Sequence, residues 1–335
     1  MTQRTFATLC SGIEAVSLAW KDLKLTPVFF ADNAAFPTRF LHHRYGETPN
    51  LGNLLTIDGE AFRKAVNILW ASFPCQDFSE AGKKAGVDGG RGFLTLAGIK
   101  LIDEIDPDVF FFENVPGLLT DDCNAFGQFL GALAGEFGNL VPSGDRWTNS
   151  GYVLGPKRAI AWRVLDAQHF GLPQQRERVY VVACPRGGID PRDVLFERGP
   201  QGDLAGERAG GGTDAVAGPA GGAVAPAYRI AIRGRVLKGV KAQQIEQGDE
   251  VSNCLRTAAG GGSVAQVLTQ HEGRWVVRAL TPVEYERLQG MPDGYTDIPG
   301  ASVTARRTAI GNSLAVPVVR WLGERLDGVM KREAA

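Results

Sequence analysis

Short apolar runs alternate with helical patterns through the N-terminal half of this chain. Six runs predict β-strands: Thr5–Leu9, Pro27–Ala31, Ile68–Ala71, Asp108–Phe112, Trp162–Leu165 and Val179–Ala183. Helical patterns lie between several of them: Glu14–Leu23, Ala34–Tyr45 and Leu94–Ile105. Strands that alternate with helices form a mainly parallel sheet with helices on both faces. The sequence therefore predicts an α/β domain, and such domains bind their ligands at the carboxyl ends of the strands.

The third apolar run ends in the turn Ser72-Phe73-Pro74-Cys75. Pro74 has no N–H and a fixed φ, so the strand is expected to end before it. Cys75 therefore follows the carboxyl end of a predicted strand, where a thiol can act as a nucleophile. Residues 81–91 are rich in Gly and Lys and predict a mobile loop that closes over a substrate. A cysteine taken alone is more often an inert buried side chain, so this hypothesis depends on the neighbouring strand ends.

Three further strand ends carry polar residues. The run Asp108–Phe112 continues into Glu113, which brings a carboxyl group that can donate a proton to the edge predicted for Cys75. The first run continues into Cys10-Ser11-Gly12 and the second into Asp32, as in nucleotide-binding folds where an acid holds the ribose. A second interpretation stays open for Ser11, Asp32 and Glu113, because each can instead cap a helix.

The segment Gln174-Gln175-Arg176-Glu177-Arg178 leads into the last of the six strands. Alternate side chains of an extended segment share a face, so Gln174, Arg176 and Arg178 are expected to point together. Two guanidinium groups aimed at one place suit a phosphate or the carbonyl edge of a base. The alternative is a solvated run of charges.

The composition changes after Cys184. Residues 199–227 are dominated by Gly and Ala and predict a flexible segment. Residues 228–241 mix β-forming residues with basic ones and contain no acid; the basic residues are Arg229, Arg233, Arg235, Lys238 and Lys241. A basic strand or ribbon with an apolar back face fits contacts to the DNA backbone. Helical patterns return at Thr281–Leu288, with Thr281 as N-cap, and at Val318–Leu326, which is expected to pack on the first domain.

Net charge and cysteine count exclude several classes of protein. A net charge of -1 over 335 residues gives no overall signature of polyanion binding, so a nucleic-acid site has to be a local patch. Five cysteines without paired spacing argue against a disulfide scaffold and for a reducing compartment. The chain shows no signal peptide and no apolar run long enough to span a bilayer. We expect a cytoplasmic protein with no membrane partner and no metal site.

Taken in order, the motifs of this chain resemble those of the DNA (cytosine-5) methyltransferases of bacteria and phages. The motifs that carry the resemblance are Leu9-Cys10-Ser11-Gly12, Phe73-Pro74-Cys75-Gln76, Arg91-Gly92-Phe93-Leu94, Glu113-Asn114-Val115, Gln174-Gln175-Arg176-Glu177-Arg178, Arg278-Ala279-Leu280-Thr281 and Gly311-Asn312-Ser313. The resemblance implies an α/β, Rossmann-like, S-adenosylmethionine-dependent methyltransferase domain with a smaller, mainly β target-recognition domain. Residues 1–190 and 304–335 would form the catalytic domain, and 191–303 the recognition domain and hinge, with 199–227 flexible.

The resemblance also implies a role for each motif residue. Cys75 would add to carbon 6 of a cytosine flipped out of double-stranded DNA, and Glu113 would hold ring nitrogen 3. Arg178 would contact the exocyclic oxygen of the base, and Arg176 would support the site electrostatically. Gln76 would fill the space that the base leaves, and Ser79 would also contact DNA.

The same resemblance assigns the cofactor site. The implied contacts of S-adenosylmethionine are Ser11, Gly12, Asp32, Asn53, Pro74, Leu94, Asn312 and Ser313. The chain departs from the family pattern at Cys10, where an aromatic residue is usual, near Glu14, where a second glycine is usual, and at Asn53, where an acid is usual.

Double-stranded DNA is the implied partner, and a monomer is expected. A cognate restriction endonuclease would complete a restriction-modification system, although the sequence itself does not show one. Two alternatives stay open, a tRNA cytosine-5 methyltransferase and a catalytically silent DNA-binding protein. The hundred or so residues between the Arg178 and Arg278 motifs favour DNA over tRNA, because the tRNA enzymes typically lack a sizeable recognition domain.

Overall fold

The structure is a computed structural model. It describes residues 4–73, 92–198, 204–205, 228–237, 240–247, 252–255, 265–271 and 274–333. Several predicted features lie outside these ranges: the loop 81–91, nearly all of 199–227, and the residues Pro74, Cys75, Gln76, Ser79 and Lys238.

The chain divides into two compact units. Unit 1 comprises Met1–Leu165, Glu177–Ala209 and Val319–Ala335, and unit 2 comprises Asp166–Arg176 and Gly210–Val318. These bounds differ from the predicted 1–190 plus 304–335 and 191–303. Residues 191–198 stay with unit 1 because Arg325 donates hydrogen bonds to the carbonyl oxygens of Asp193, Val194 and Phe196. Residues 166–176 belong to unit 2, where the Gln174 side chain donates to Leu288 O at 2.7 Å.

Unit 1 is built on a seven-stranded sheet with the strand order β2-β1-β3-β4-β8-β6-β5. Its strands are β1 (Arg4–Leu9), β2 (Leu25–Ala31), β3 (Ile68–Ala71), β4 (Val109–Asn114), β5 (Ser150–Leu154), β6 (Arg158–Asp166) and β8 (Glu177–Pro185). β2, β1, β3 and β4 run parallel, whereas β4 pairs with β8 and β5 with β6 in antiparallel fashion. Every residue of β3 and β4 is buried, which explains why these strands read as continuous apolar runs. All six predicted strands are confirmed, with bounds that move by a few residues.

Aromatic side chains fill one side of this sheet. The Trp20 ring packs edge-on against Trp70 and Phe111, with ring centroids 5.8 and 5.9 Å apart. The indole of Trp20 donates to Val319 O at 2.9 Å, which satisfies its only polar atom. This packing holds the central strands in register, so the carboxyl ends of β1, β3 and β4 meet at one edge.

The helices of the described residues are α1 (Ala15–Trp20), α2 (Ala35–Arg44), α3 (Gly92–Ile105), α4 (Ala125–Ala134), α5 (Pro191–Leu195), α6 (Pro282–Leu288), α7 (Val303–Asn312) and α8 (Val316–Glu333). Thr281 caps α6 in a full capping box with Glu284, as the sequence predicts. The last helix, Val316–Glu333, is longer than the predicted Val318–Leu326. It can begin before Pro317 because the first-turn N–H groups of a helix have no intrahelical partner, so the missing N–H of proline costs no hydrogen bond there. None of these helices is both long and apolar enough to cross a membrane.

Unit 2 contains a four-stranded antiparallel sheet with the order β12-β11-β14-β15. The strands are β11 (Tyr228–Leu237), β12 (Val240–Gln247), β14 (Gln266–His271) and β15 (Arg274–Ala279). The basic strand or ribbon predicted for 228–240 is a two-stranded ribbon, in which β11 and β12 pair from Ile230 with Gln247 to Leu237 with Val240. Short strands β7 (Gln174–Gln175) and β13 (Ser252–Asn253) pair in parallel. In unit 1, β9 (Glu197–Arg198) pairs with β10 (Leu204–Ala205).

Candidate active site

The loop that follows β1 has an unusual backbone. Cys10, Gly12 and Glu14 all have positive φ values, of 54°, 56° and 54°. A non-glycine residue in this region costs roughly 1–2 kcal/mol, so two such residues beside one glycine mark a tightly constrained turn. Among the residues that the structure describes, no atom lies within 4 Å of a Cβ placed on Gly12, so on that part of the chain the peptide at Gly12 is open to a ligand.

Ser11 ties this loop to the neighbouring strand. Its hydroxyl accepts a hydrogen bond from Ala31 N at 2.9 Å and lies 2.7 Å from the Thr8 hydroxyl. The alternative of Ser11 as a helix cap is wrong, because Glu14 is the N-cap of α1 and accepts from Ser17 N at 3.1 Å. Sequence spacing suggested Ser11 as the cap because it places a helix directly after the Cys10-Ser11-Gly12 turn. In the structure the backbone passes through two left-handed residues, Gly12 and Glu14, before the helix begins.

Asp32 follows β2 and connects two strand ends. Its carboxylate accepts from Gly12 N at 2.8 Å and from Ala34 N at 2.9 Å. The alternative of Asp32 as the cap of α2 is also wrong, since Ala34 is the N-cap and makes no side-chain bond. Each carboxylate oxygen can accept more than one hydrogen bond, so Asp32 keeps the capacity to hold the hydroxyl groups of a ribose.

Asn50 is a site residue that sequence reasoning missed. Its side chain accepts from Asp32 N at 3.0 Å and donates to Asp32 O at 2.9 Å. The same oxygen accepts from Gly52 N at 3.1 Å, so one amide fixes the backbone on both sides. Asn50 lies in a loop outside every periodic pattern, and no local signal distinguishes it from other turn asparagines.

The residues of this loop fit S-adenosylmethionine. Ser11, Gly12 and Asp32 come together as predicted, with an open backbone face beside a carboxylate. Asn53 caps a 3-10 turn by accepting from Leu55 N at 3.1 Å, and Leu94 packs against the buried core. In unit 2, Asn312 is exposed at the end of α7, while Ser313 is buried and its carbonyl accepts from Arg176 at 2.5 Å.

Glu14 is completely buried beneath the loop. Its carboxyl group accepts from the hydroxyls of Thr8 at 2.8 Å and Ser17 at 3.0 Å. Burial raises the pKa of Glu14 to about 7, although the hydrogen bonds from Thr8 and Ser17 act in the opposite direction. This carboxyl group stands near the position where the family pattern has a second glycine.

Glu113 and Arg178 form an ion pair at the carboxyl end of β4. Arg178 Nε lies 3.0 Å from Glu113 Oε1, and the two side chains are 14% and 9% exposed. Arg178 Nη1 also donates to Glu177 O at 2.7 Å. The sequence predicted both residues but not their contact, which follows from the antiparallel pairing of β4 with β8.

Arg176 and Gln174 have different partners from Arg178. The Arg176 guanidinium donates to the carbonyl oxygens of Gly311 and Ser313 and to the Cys254 sulfur, all within unit 2. Gln174 is fully buried and accepts from Leu255 N at 3.1 Å. The structure therefore does not aim the two guanidiniums at one ligand, as simple alternation suggested. Arg176 braces the turn after α7, and its predicted electrostatic support of the site stays a prediction.

Four predicted DNA contacts, Arg229, Arg233, Arg235 and Lys241, lie in the four-stranded sheet of unit 2. Arg233 pairs with Gln244 and Arg235 with Ala242, whereas Lys241 pairs with Val236. Directly paired residues of antiparallel strands share a face, so the register places Lys241 on the face opposite to Arg233 and Arg235. Arg229 pairs with Val267 and occupies a position on the same face as the other two arginines. Across the described ranges, no group of three or more His, Cys, Asp or Glu side chains is arranged to hold a metal ion.

Comparison with known proteins gives a consistent match. The sequence model of the family described as C-5 cytosine-specific DNA methylase matches residues 4–190 and 233–328. A protein of Escherichia phage P1 named DNA N-6-adenine-methyltransferase is 31% identical over 99% of this chain, which spans 62% of the phage protein. The type II methyltransferase M.HpaII of Haemophilus parainfluenzae is 26% identical over 96% of this chain and 88% of its own length.

A solved structure agrees with this fold. The Dnmt2 methyltransferase of S. pombe aligns with a TM-score of 0.64 and 17% identity, covering 99% of this chain and 100% of its own. At that identity the likeness concerns the fold alone. It confirms the predicted α/β, Rossmann-like fold.

Proposed function

Since the chain belongs to the C-5 cytosine-specific DNA methylase family, we propose that it methylates carbon 5 of a cytosine within a specific sequence of double-stranded DNA. Membership confirms the predicted family, the enzyme class of DNA (cytosine-5) methyltransferases and the cofactor S-adenosylmethionine. The observation that carries the proposal is the buried Glu113–Arg178 pair at the edge where β3 ends.

Cys75 is the proposed nucleophile. Carbon 5 of cytosine is too weakly nucleophilic to accept a methyl group unaided. Addition of the Cys75 thiolate to carbon 6 breaks the 5,6 double bond and moves an electron pair toward carbon 5. After methylation, water takes the carbon 5 proton, and the electrons of that C–H bond restore the 5,6 double bond and expel the thiolate. A stacked base cannot reach a thiol at a strand end, so the cytosine is flipped out of the helix at a cost of about a few kcal/mol.

Glu113 and Arg178 hold the flipped base during that addition. Negative charge moves toward ring nitrogen 3 as the thiolate adds, and Glu113 relays a proton taken up from solvent to that nitrogen or holds it in a hydrogen bond. Arg178 donates to the exocyclic oxygen while its contact with Glu113 fixes the orientation of the carboxyl group. Gln76 and Ser79 contact the DNA from which the base has left.

Ser11, Gly12 and Asp32, all in unit 1, are proposed to bind the cofactor. The open face at Gly12 allows close approach of the cofactor, and Asp32 accepts hydrogen bonds from its ribose. Asn53, Pro74, Leu94, Asn312 and Ser313 complete the proposed set of contacts. When bound, S-adenosylmethionine supplies an electrophilic methyl group.

Base-resolution sequencing tests the proposed function. The protein and its Cys75→Ala variant are expressed in a bacterial host that lacks DNA methylation, and 5-methylcytosine is mapped in the DNA and in the tRNA. We expect one recurrent short DNA sequence to carry 5-methylcytosine in the wild type and to be unmodified in the variant. Methylation confined to tRNA, or none from folded protein that still shifts DNA in a gel, would overturn the proposal in favour of one of the alternatives.

The same DNA is sequenced for N6-methyladenine. The phage P1 protein carries that activity in its name, and this chain spans 62% of its length. Addition of a thiolate to carbon 6 activates the carbon 5 of a cytosine and offers nothing to an exocyclic adenine amine. We therefore expect no N6-methyladenine in either sample.

A further inference from the structure

Glu14 occupies a backbone position that suits glycine. Its φ is 54°, in the left-handed region, where a residue with a side chain costs roughly 1–2 kcal/mol. It is also completely buried, which removes the carboxyl group from solvent. A buried titratable side chain on a left-handed backbone needs contacts that offset both costs, and such residues are concentrated at functional sites. The contacts of Glu14 therefore indicate its role.

The two carboxyl oxygens of Glu14 contact different parts of unit 1. Oε1 accepts from Ser17 N at 3.1 Å and from the Ser17 hydroxyl at 3.0 Å, both in α1. Oε2 lies 2.8 Å from the Thr8 hydroxyl in β1. The Thr8 hydroxyl lies in turn 2.7 Å from the Ser11 hydroxyl. Through Thr8, the carboxyl group thus joins the first helix to the loop after β1.

Ser11 connects this path to the residues proposed to bind the cofactor. Ser11 N donates to Ala31 O at 3.2 Å, and Ala31 N donates to the Ser11 hydroxyl at 2.9 Å. Asp32 directly follows Ala31. Gly12 directly follows Ser11 and donates its N–H to Asp32 at 2.8 Å. An unbroken path of hydrogen bonds therefore runs from Glu14 to Gly12 and Asp32.

The number of protons on this path depends on Glu14. The Ser11 hydroxyl also donates to Thr8 O at 3.0 Å. With Glu14 ionised, the Thr8 proton goes to the carboxylate, and the single Ser11 proton is shared between Thr8 Oγ1 and Thr8 O. A proton on Glu14 Oε2 reverses the first bond, so that Glu14 donates to Thr8, Thr8 to Ser11, and Ser11 to Thr8 O. Each contact then has a proton of its own.

Burial and charge favour the same protonated form. Burial raises the pKa of Glu14 to about 7, and repulsion from the Asp32 carboxylate adds to the increase. The hydrogen bonds from Thr8 and Ser17 act in the opposite direction. Asp32, from the loop after β2, is the charged group that acts on Glu14, while β1 and α1 contribute the hydroxyls of Thr8 and Ser17.

From this geometry we propose that Glu14 is a positioning residue for the cofactor, and that it holds the loop after β1 in its binding geometry as a neutral carboxylic acid. The proposal rests on the proposed function, in which Gly12 and Asp32 bind S-adenosylmethionine. Ionisation of Glu14 takes one proton from the path, so Ser11 loses one of its two contacts with Thr8 and holds the loop less firmly. Cofactor affinity therefore depends on the protonation of Glu14.

The affinity for the cofactor should fall as pH rises. Since the cofactor binds the form in which Glu14 is protonated, its binding raises the pKa of Glu14 further. Affinity is therefore fully present below the pKa of the free protein, about 7, and decreases as pH rises through that value.

The test measures the dissociation constant of S-adenosylhomocysteine by isothermal titration calorimetry on the full chain, from pH 5.5 to pH 8.5. This ligand lacks the sulfonium charge, so attraction of a positive sulfur to ionised Glu14 cannot offset the loss of loop order. The amino group of the ligand also titrates in this range, so each variant is compared with wild type at the same pH. Glu14→Gln is the central variant, because its amide donates to Thr8 and accepts from Ser17 as the neutral acid does, but cannot ionise.

Thr8→Val and Ser17→Ala form a matched pair, since each removes one hydroxyl contact of Glu14. Thr8→Val interrupts the path between Glu14 and Ser11 while keeping the branched shape of the side chain. Ser17→Ala leaves that path intact, and the N–H of residue 17 still donates to Glu14. Infrared difference spectra between pH 5.5 and pH 8.5 report the protonation of Glu14 without any ligand, as a carboxylic acid band that Glu14→Gln lacks.

We expect the dissociation constant of wild type to rise at least about fivefold relative to that of Glu14→Gln between pH 5.5 and pH 8.5. Ser17→Ala should show the same rise as wild type. Thr8→Val should bind more weakly than wild type at pH 5.5, and its ratio to Glu14→Gln should change less than about twofold with pH.

A folded Glu14→Gln whose ratio to wild type does not change with pH, or changes in the opposite sense, would overturn the role of Glu14. Should Glu14→Gln fail to fold, identical pH profiles for Thr8→Val and Ser17→Ala would overturn it as well. Wild type that binds no S-adenosylhomocysteine at any pH would instead overturn the proposed cofactor site, and with it both proposals.

Discussion

The polar residues at the strand ends owe their roles to partners from other parts of the chain. Asp32 is held by Gly12, Asn114 reaches the carbonyl of Phe73, and Glu113 contacts Arg178. Each contact is buried or half-buried, where an unmade hydrogen bond would cost about 1–3 kcal/mol. The site is therefore held in shape before any ligand binds, which is what a reaction that depends on near-attack geometry requires.

Glu14 predicts an unusual dependence of stability on pH. Its pKa is about 7 in the folded chain against an ordinary value of 4.5, so between these pH values the folded state holds a proton that the unfolded chain has lost. The free energy of unfolding should therefore fall as pH rises from about 4.5 to 7. Above pH 7, Glu14 is ionised in both states and should cause no further change. Glu14→Gln has no proton to lose, so its stability relative to wild type should rise across this range, by an amount on the order of 3 kcal/mol.

Glu284→Gln provides the control with the opposite sign. Arg278 and the Thr281 cap lower the pKa of Glu284 to about 2 despite partial burial, so its charge stabilises the fold above pH 4.5 and ceases to do so as pH falls through 2. Glu284→Gln should therefore be less stable than wild type at neutral pH and equally stable in acid, where Glu284 of the wild type is protonated. Urea unfolding followed at intervals from pH 2 to pH 8 measures both variants. Parallel pH profiles for wild type and Glu14→Gln would contradict the raised pKa of Glu14.

At the scale of the elements, α3 is fitted to β3 through a glycine. Gly98 lies in the interior of α3, where glycine is a poor helix former, yet its missing side chain admits the Phe73 ring. Phe73 also packs against Phe112 of β4 with ring centroids 5.9 Å apart. One aromatic side chain thus joins a helix to two neighbouring strands at the edge that carries the proposed catalytic residues.

This fit predicts opposite effects for two glycine-to-alanine changes within helices. Gly98→Ala should destabilise the protein by about 1–3 kcal/mol, because the new methyl group overlaps the Phe73 ring and the gain in helix propensity is smaller. Gly328→Ala in α8 should stabilise it by up to about 1 kcal/mol, because the nearest atom to a Cβ there is Arg332 Nη1 at 3.8 Å. Thermal and urea unfolding compare the two; equal effects would show that helix propensity alone decides.

At the scale of the whole molecule, the chain divides its proposed tasks between two units. Unit 1 holds the loop after β1, Asp32 and the Glu113–Arg178 pair, while unit 2 holds the sheet with the basic β11. The register of that sheet separates Arg233 and Arg235 from Lys241, which occupy opposite faces. A single stretch of DNA cannot lie against both faces.

The register makes a prediction about salt dependence. Each lysine or arginine that neutralises a phosphate contributes about 0.9 to the slope of log K against log salt concentration. If the arginine face meets the DNA, Arg233→Ala with Arg235→Ala should lower that slope by about 2, and Lys241→Ala should leave it unchanged. Fluorescence anisotropy with duplex DNA across a range of NaCl concentrations gives the slopes. A loss seen only with Lys241→Ala would assign the DNA to the other face.

The sequence by itself determined the fold class, the strands, the capped helix at Thr281 and the types of chemical group at the site. These features are local: an apolar run, a proline stop or a capping box forms within a few residues. Local patterns also left open helix caps at Ser11 and Asp32 that do not form, because Glu14 and Ala34 are the N-caps.

Tertiary structure decided which groups meet. Alternation suggested that Arg176 and Arg178 share a target, but Arg176 reaches Gly311, 135 residues away, while Arg178 contacts Glu113. No motif predicted the hydrogen bonds of the Asn50 and Asn114 side chains. Asn50 binds the backbone of Asp32, and Asn114 binds the carbonyl of Phe73, and these groups come within reach only once the strands have paired. The spacing of apolar residues in a sequence determines on which face of a strand or helix a side chain lies. The residue that this side chain contacts depends on how the whole sheet packs.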